Sequence, residues 1–147
     1  MLIYLDNCCY NRPYDNMENK IVLREAQAKL KVQEMIKNHE IELVISFMLK
    51  YENSINPYAI RKDSIEEFMD EYGSVYVSVS DENKIHETIC DIMKTGIRYN
   101  DACHVACAIR AGADFFLTTD KRLLKYKTNK VKMMNPIDFI IDFQKED

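Results

Sequence analysis

At 147 residues, the chain has the length of one domain and can bury well over half of the surface that its unfolded form exposes. Its hydrophobic share of 47% and charged share of 30% exclude a disordered chain. The formal net charge of −4 argues against a protein that binds nucleic acid mainly through a broad basic surface, although metal ions in an acidic pocket could still supply positive charge locally.

Short apolar runs alternate along the chain with longer helical patterns. The runs predict strands at residues 2–5, 42–45, 75–79, 115–118 and 131–134. Such alternation is typical of a mostly parallel sheet covered by helices, so we expect an α/β fold. Only three glycines and three prolines occur, and no low-complexity segment or repeat marks a boundary. We therefore expect a single domain over residues 1–147.

Apolar residues at helical spacing predict four amphipathic helices between the strands. Ser80 and Asn100 are the expected N-terminal caps of two of them. Asn135 and Pro136 are the expected cap and first residue of a last helix, and Gly112 is expected to end the helix before the fourth strand. The predicted core-facing sets are Val22, Leu23, Ala26 and Leu30; Ile65, Phe68, Met69 and Tyr72; Ile85, Ile89, Ile92 and Met93; and Ala102, Val105, Ala106 and Ile109.

The cysteines and the absence of targeting signals indicate a reducing compartment. Five cysteines are an odd number without the spacing of a disulfide framework, so we expect reduced thiols. No apolar run approaches the ~20 residues of a membrane span, and "MLIYLDN" lacks the features of a signal peptide, so we expect a cytoplasmic protein that does not bind membranes. Two pairs at helical spacing, Cys103 with Cys107 and His86 with Cys90, leave a zinc site as an alternative, although structural zinc needs four ligands.

Two of the predicted strands lead into an aspartate. Asp6 directly follows "LIYL", and Asp120 follows "FFLTT". In an open parallel sheet, the loops after the strands converge at the carboxyl edge, where ligands bind. We therefore expect the two aspartates to meet in space although they are far apart in the sequence.

Two further acids are expected at the same edge. Glu52 lies under two turns beyond Ser46, a predicted helix cap, and helical side chains tilt toward the helix N-terminus. Asp101 occupies the first turn of the helix that leads into the fourth strand. Converging carboxylates repel one another, and hard divalent cations such as Mg²⁺ and Mn²⁺ usually relieve that repulsion. Because Mg²⁺ bridges carboxylates to substrate phosphates, the pattern favours phosphodiester hydrolysis.

Each of these acids except the first also has a simple structural interpretation. Asp101 could merely complement the helix dipole, Asp120 could cap the next helix, and Glu52 could belong to a solvated face. Asp6 is harder to explain in this way, because aspartate is depleted in strands and here directly follows an apolar run. The pattern alone leaves both a metal site and a structural use of these acids open.

The chain resembles the PIN domain family of Mg²⁺- or Mn²⁺-dependent nucleases, which includes the VapC-type toxins. The likeness rests on "IYLDN", on "ISFMLKYE" after the second strand and on "NDACHVACAIRAGADFFLTTDKRLLK" late in the chain. The late segment is the most specific, because an Asp opens an alanine-rich helix that is followed by a strand and a Thr-Asp pair. The resemblance implies a three-layer α/β/α sandwich around a five-stranded, mostly parallel sheet of order 3-2-1-4-5.

The resemblance also implies residue roles. Asn7 and Thr118 are expected to support the metal ligands or bind water, and His104 is expected to pack on a helix face rather than to act in catalysis. The catalytic and metal-binding quartet implied for Mg²⁺ or Mn²⁺ is Asp6, Glu52, Asp101 and Asp120.

Several basic residues are candidates for phosphate contacts. Lys121 and Arg122 lie beside the last acid of the quartet, although solvated charges at a helix start are the alternative. Arg12, Lys50 and Arg98 have the same two interpretations.

These features together predict a metal-dependent ribonuclease that is a candidate toxin of a toxin-antitoxin pair. The partners implied by the resemblance are an RNA substrate, a cognate antitoxin protein and a second copy of the chain. One alternative is a PIN-like module that binds RNA or protein without cutting it. Another is a phospho-acceptor signalling domain, but such receivers place paired acids after the first strand, whereas Asn7 follows Asp6 here.

Overall fold

The computed structural model of the protein describes residues 1–11 and 18–145. Five of their segments form one β-sheet. All neighbouring strands are parallel and lie in the order β3-β2-β1-β4-β5. The predicted order is confirmed, and the sheet is parallel throughout. The strands are β1 (Leu2–Leu5), β2 (Glu42–Ser46), β3 (Gly73–Val77), β4 (Phe115–Leu117) and β5 (Lys132–Met134).

Helices cover both faces of this sheet. Helix α2 packs with α8, while α5 packs with α6, so the predicted three-layer α/β/α sandwich is confirmed. No helix in the described part of the chain is both long and apolar enough to cross a bilayer. The helices are α1 (Asn7–Asn11), α2 (Lys20–Lys37), α3 (Phe47–Ser54), α4 (Ala59–Tyr72), α5 (Glu82–Met93), α6 (Tyr99–Ala111), α7 (Lys121–Leu124) and α8 (Pro136–Lys145), with a short 3₁₀ helix at Val79–Asp81.

Strand β1 lies at the centre of the sheet and of the core. Ile3, Tyr4 and Leu5 have no exposed surface, because β2 and β4 flank the strand and helices cover its faces. A strand buried on both faces reads as a continuous apolar run, which is why "LIYL" stands out in the sequence. This position brings the residue after β1 to the middle of the carboxyl edge.

Three of the predicted helix boundaries are confirmed. The Ser46 hydroxyl accepts a hydrogen bond from Leu49 N at 3.2 Å and caps α3. Asn135 Oδ1 accepts from Ile137 N at 2.8 Å at the start of α8. Gly112 ends α6 with a φ of 73°, a left-handed conformation that a residue without a Cβ adopts readily.

Two predicted caps and one strand boundary are wrong. Ser78, not Ser80, starts the helical segment, because Ser78 and Asp81 form a reciprocal capping box around the 3₁₀ turn. That box also ends β3 at residue 77 instead of 79. Helix α6 begins at Tyr99 after an extended Arg98, so Asn100 lies inside the first turn rather than at the cap.

The predicted core face of α2 is largely wrong. Of its four residues only Ala26 is buried, while Leu23 and Leu30 are exposed. The buried stripe is set by the second half of the helix, where Val32, Met35 and Ile36 pack into the core. Helical spacing continues this stripe toward the N-terminus through Lys29 and Glu25, which are buried. The sequence pattern had instead assigned the buried face to apolar residues such as Leu23 and Leu30.

Candidate metal centre

Asp6 is fixed at the carboxyl edge by its backbone and by its side chain. Its N–H donates to Leu117 O at 2.9 Å, which continues the pairing of β1 with β4. Oδ1 accepts from Asn7 N at 2.8 Å, and Oδ2 accepts from the Thr118 hydroxyl at 2.8 Å. Only 5% of Asp6 is exposed, so these donors hold a nearly buried carboxylate in one orientation.

Thr118 connects the two strand-end loops. Besides donating to Asp6, its buried hydroxyl oxygen accepts from Asp120 N at 3.0 Å. Asp120 Oδ1 in turn accepts from Arg122 N at 2.8 Å, so Asp120 caps α7, as the simpler interpretation of this residue predicted. This cap uses only one of the two carboxylate oxygens, so Asp120 can cap α7 and still belong to the acidic edge of the sheet.

Asp101 lies in the first turn of α6 and responds to its acidic neighbours. Burial raises its pKa, and the charges of Asp6 and Asp120 raise it further. His104 opposes this shift, while Glu52 adds to it. Asp101 is therefore within electrostatic range of the other three predicted acids, although the four come from separate segments of the chain.

Glu52 faces the same region from α3, and one of its oxygens is bound to the protein. Oε1 lies 2.5 Å from Nε2 of His104, which is 1% exposed. Burial alone lowers the pKa of His104, but the hydrogen bond to Glu52 and the charge of Asp6 raise it overall. Glu52 is thus not a free surface acid, and His104 does more than pack on a helix face.

The arrangement resembles an open metal site rather than a closed one. Within residues 1–11 and 18–145, no three His, Cys, Asp or Glu side chains stand close enough together to hold one ion unaided. Mg²⁺ usually takes one or two carboxylates and completes its shell with water and substrate phosphate. Glu52 and Asp101, which line one groove, could contribute carboxylate oxygens to such a shell.

The same observation rules out the zinc alternative for the described residues, because a structural zinc site needs four converging ligands. Cys90 Sγ lies 3.6 Å from His86 Nε2 on the surface of α5, and no third ligand among the described residues joins them. All five cysteines are free thiols.

A groove of about 770 Å³ opens beside the acids. Asn7, Glu52 and Asp101 form part of its wall. The rest combines amides, basic side chains and aromatic rings: Asn11, Ile55, Asn56, Pro57, Tyr58, Arg61, Arg98, Tyr99 and Asn100. An extended, polar ligand could therefore run past the carboxylates.

The basic residues that were predicted to contact phosphate lie in different parts of the structure. Arg98 lines the groove, whereas Arg122 lines a separate depression. Lys121 is exposed at the start of α7. Lys50 pairs with Glu66 and Asp70, which occupy its amine, and Arg12 lies outside the described residues.

Sequence reasoning missed most of the groove wall. In the sequence the Asn56-Pro57 pair indicates only a helix break, yet this break brings Tyr58 and Arg61 next to the acids, with the Arg61 guanidinium 4.3 Å from the Tyr58 ring centroid. The sequence feature that could have indicated this wall is the high density of amide and aromatic residues around the helix break that follows Glu52. Tyr99, two positions before Asp101, carried a similar signal.

Known structures with the same fold are distant in sequence. One is the crystal structure of VapBC2 from Rickettsia felis bound to a DNA fragment from their promoter, with a TM-score of 0.56 and 16% identity over 92% of this chain and 98% of that chain. Another is FitAcB from Neisseria gonorrhoeae, with a TM-score of 0.53 and 18% identity over 91% of this chain and 97% of that chain. At these identities the likeness establishes the fold alone.

Family membership rests on the sequence itself. No curated protein matches the chain significantly. The family model of the PIN domain, however, matches residues 4–129, a span that begins within β1, includes all four acids and ends before β5. The chain therefore belongs to the PIN domain family.

Proposed function

We propose that the protein, as a single nuclease domain over residues 1–147, is a Mg²⁺- or Mn²⁺-dependent endoribonuclease. The observation that carries the proposal is the junction at Thr118, which joins the Asp6 carboxylate to the Asp120 loop beside an Asp101 whose pKa responds to both acids. Clustered carboxylates are unfavourable without a counter-charge, and a hard cation supplies one. Membership of a family of nucleases supports the same conclusion.

The residues have distinct roles in this proposal. Asp6 and Asp101 are the strongest candidates for direct metal ligands, while Glu52 and Asp120 complete the acidic centre directly or through water. A bound divalent ion would activate water and offset charge on the scissile phosphate. Thr118 and the backbone N–H of Asn7 hold the Asp6 carboxylate, which keeps its orientation independent of substrate.

The groove favours RNA with unpaired bases. Tyr58 and Tyr99 are 59% and 41% exposed, so their rings are available for stacking on bases, which requires bases that are free of a duplex. Arg98 offers a local positive charge for a phosphate. Such local contacts suit a protein with a net charge of −4 better than a broad electrostatic surface does.

A cleavage assay tests the proposal. Purified protein is incubated with an end-labelled single-stranded RNA in Mg²⁺, Mn²⁺ or EDTA, and the products are sized. We expect cleavage only with a divalent ion, and at least a ~100-fold loss of rate in Asp6→Asn or Asp101→Asn, because each variant removes a ligand charge. Asp91→Asn, an exposed acid on α5, is the matched control and should cleave normally.

Metal-dependent cleavage that persists unchanged in Asp6→Asn and Asp101→Asn would contradict the assignment. If the protein binds Mn²⁺ and RNA in calorimetry but leaves the RNA intact, the non-catalytic alternative is correct. The signalling alternative has lost its structural basis, because a receiver domain places its third strand beside the first, whereas β3 here pairs with β2.

We further propose that the protein is the toxin of a toxin-antitoxin pair, acts in the cytoplasm and pairs with a cognate antitoxin and a second copy of itself. The fold shared with VapBC2 and FitAcB supports this role. Induced expression should arrest bacterial growth for the wild type but not for Asp6→Asn, and sedimentation should give twice the 17.3 kDa of the chain. Normal growth with active wild-type protein would contradict the toxin role but not the nuclease activity.

A further inference from the structure

A chain of buried hydrogen bonds ends at Glu52. The Ser46 hydroxyl lies 2.6 Å from the Tyr4 hydroxyl, which lies 2.6 Å from His104 Nδ1. His104 Nε2 then lies 2.5 Å from Glu52 Oε1. Ser46, Tyr4 and His104 are each at most 1% exposed, so the contacts are shielded from water.

The direction of the last bond follows from the acceptor. An ionised carboxylate only accepts hydrogen bonds, so His104 Nε2 must carry a hydrogen and donate a hydrogen bond to Glu52. This holds for the neutral and for the charged ring alike. In the neutral ring, Nδ1 accepts from the Tyr4 hydroxyl, whose pKa burial raises well above its usual value, and Tyr4 accepts from Ser46.

The network joins the segments that carry three of the four acids. Tyr4 lies on β1, two residues before Asp6, and His104 lies on α6, three residues after Asp101. Ser46 caps the helix that carries Glu52. The start of α3 and its glutamate are therefore both tied to the same histidine.

The bond to His104 occupies only one oxygen of Glu52. No described residue donates to Oε2, although Glu52 lines the groove and only 21% of its side chain is exposed. A glutamate on a helix surface normally samples several rotamers, and immobilising it costs conformational entropy. Here the bond to His104 fixes the rotamer of Glu52 when the protein folds, before any ligand binds.

We propose that His104 is a positioning residue, which Tyr4 and Ser46 orient so that it holds the Glu52 carboxylate with Oε2 turned toward the groove. The inference rests on the proposed function, because the fixed oxygen matters for a metal ion or its bound water. Groups that hold a ligand in this way change metal affinity or activity by ~10–100-fold when they are removed.

The test compares Mn²⁺ affinity in calorimetry for three substitutions of the network. His104→Leu removes the donor, and we expect its affinity to fall by ~10–100-fold. His104→Gln keeps an N–H within reach of Glu52 and should restore most of the affinity. Tyr4→Phe removes one oxygen while its ring can still stack on Phe116, and it should lose a smaller part of the affinity.

Val105→Ala is the control for a purely structural effect, since Val105 is a buried neighbour of His104 on α6. It should lower the melting temperature without changing the Mn²⁺ affinity of the folded protein. If His104→Leu fails to fold, Tyr4→Phe and His104→Gln decide the question. Wild-type affinity in Tyr4→Phe together with a large loss in His104→Gln would overturn the inference, because orientation and donor would then not matter.

The two proposals fail in different ways. A wild-type protein that binds no Mn²⁺ and cleaves no RNA overturns the proposed function and this inference together. A wild-type protein that does both, alongside a folded His104→Leu with unchanged Mn²⁺ affinity, overturns the positioning role alone.

Discussion

Lys29 is a fully buried amine on a helix that faces the core. Its Nζ lies 3.9 Å from the centroid of the Tyr10 ring and has no hydrogen-bond partner among the described residues. Burial lowers the pKa of Lys29 to about 7, against a partial opposing effect of the Cys9 thiol. A cation–π contact offsets only part of the cost of burying this charge.

We expect Lys29→Met to stabilise the protein most strongly below pH 7. The unfolded lysine titrates near 10.5, so the unfolded state binds more protons between pH 7 and 10.5, and wild-type stability rises with pH across that window by up to ~1.4 kcal/mol per unit. The variant lacks this titration. Its advantage, of the order of 5 kcal/mol at pH 6.5, should shrink as the pH rises.

Urea denaturation at several pH values measures this difference. Lys31→Met, at an exposed position on the same helix, is the control and should change stability by less than ~0.5 kcal/mol at any pH. An advantage of Lys29→Met that stays constant from pH 6.5 to 10 would contradict the assignment of the titration to Lys29.

At the scale of single residues, the sequence indicated the acids and a supporting role for Thr118, but not the histidine that binds Glu52. Asp6 could be singled out because aspartate has low strand propensity and rarely continues a buried apolar strand. The bond between His104 and Glu52 could not be predicted, because it joins residues 52 positions apart through the packing of α3 on α6. The burial of Lys29 was not predicted for a related reason: a search for apolar residues at helical spacing leaves out a lysine whatever its position on the helix.

The junction between α4 and β3 is a direct connection between two elements. The helix ends at Tyr72 and the strand begins at Gly73 with no loop between them. A Cβ at Gly73 would lie 2.7 Å from Ile45 Cγ1 and 2.8 Å from Met69 O. The second of these atoms is backbone and cannot move aside easily.

Gly73→Ala should therefore lower the free energy of unfolding by about 1–3 kcal/mol, as expected for overpacking without backbone strain. Ser74→Ala, at the next and exposed position of β3, should stay within ~0.5 kcal/mol of the wild type. Thermal unfolding of the two variants side by side provides the comparison. Equal melting temperatures would show that the junction can relax.

Elements with strong local signals were predictable, and those with weak signals were displaced. Strands β1 and β2 were predicted to within a residue, because their apolar runs end at a distinct polar residue. The prediction for β3 began two residues late, because Gly73 and Ser74 have low strand propensity and only the pairing with β2 makes them a strand. The buried face of α2 could not be predicted either, because it is determined by packing in the folded protein.

In the whole molecule, the charge of Asp101 in the acidic centre opposes stability. The raised pKa of Asp101 means that its contribution to stability is present below pH 3.8 and is lost as the pH rises through the folded value, so the ionised group destabilises the fold at neutral pH. The effect is below ~1 kcal/mol, because the side chain is partly exposed and water screens its charge.

We expect Asp101→Asn to be slightly more stable than the wild type in EDTA and to gain less from metal. Mn²⁺ at 100 times its dissociation constant should stabilise the wild type by ~2.7 kcal/mol, whereas the variant should gain a smaller amount at the same concentration. Thermal melts with and without Mn²⁺ measure both effects, with Asp91→Asn as the control. An equal gain in Asp101→Asn would exclude Asp101 as a ligand.

The position of β1 between β2 and β4 also determines when the acidic centre of a newly made chain is complete. Asp6 is synthesised early, but the segment that carries Thr118 emerges from the ribosome ~5–20 s later at ordinary rates of translation. Until then Asp6 has neither the backbone partner nor the hydroxyl that orient it. In the ribonuclease proposed above, this delay would protect the messenger that is still being translated from the protein that it encodes.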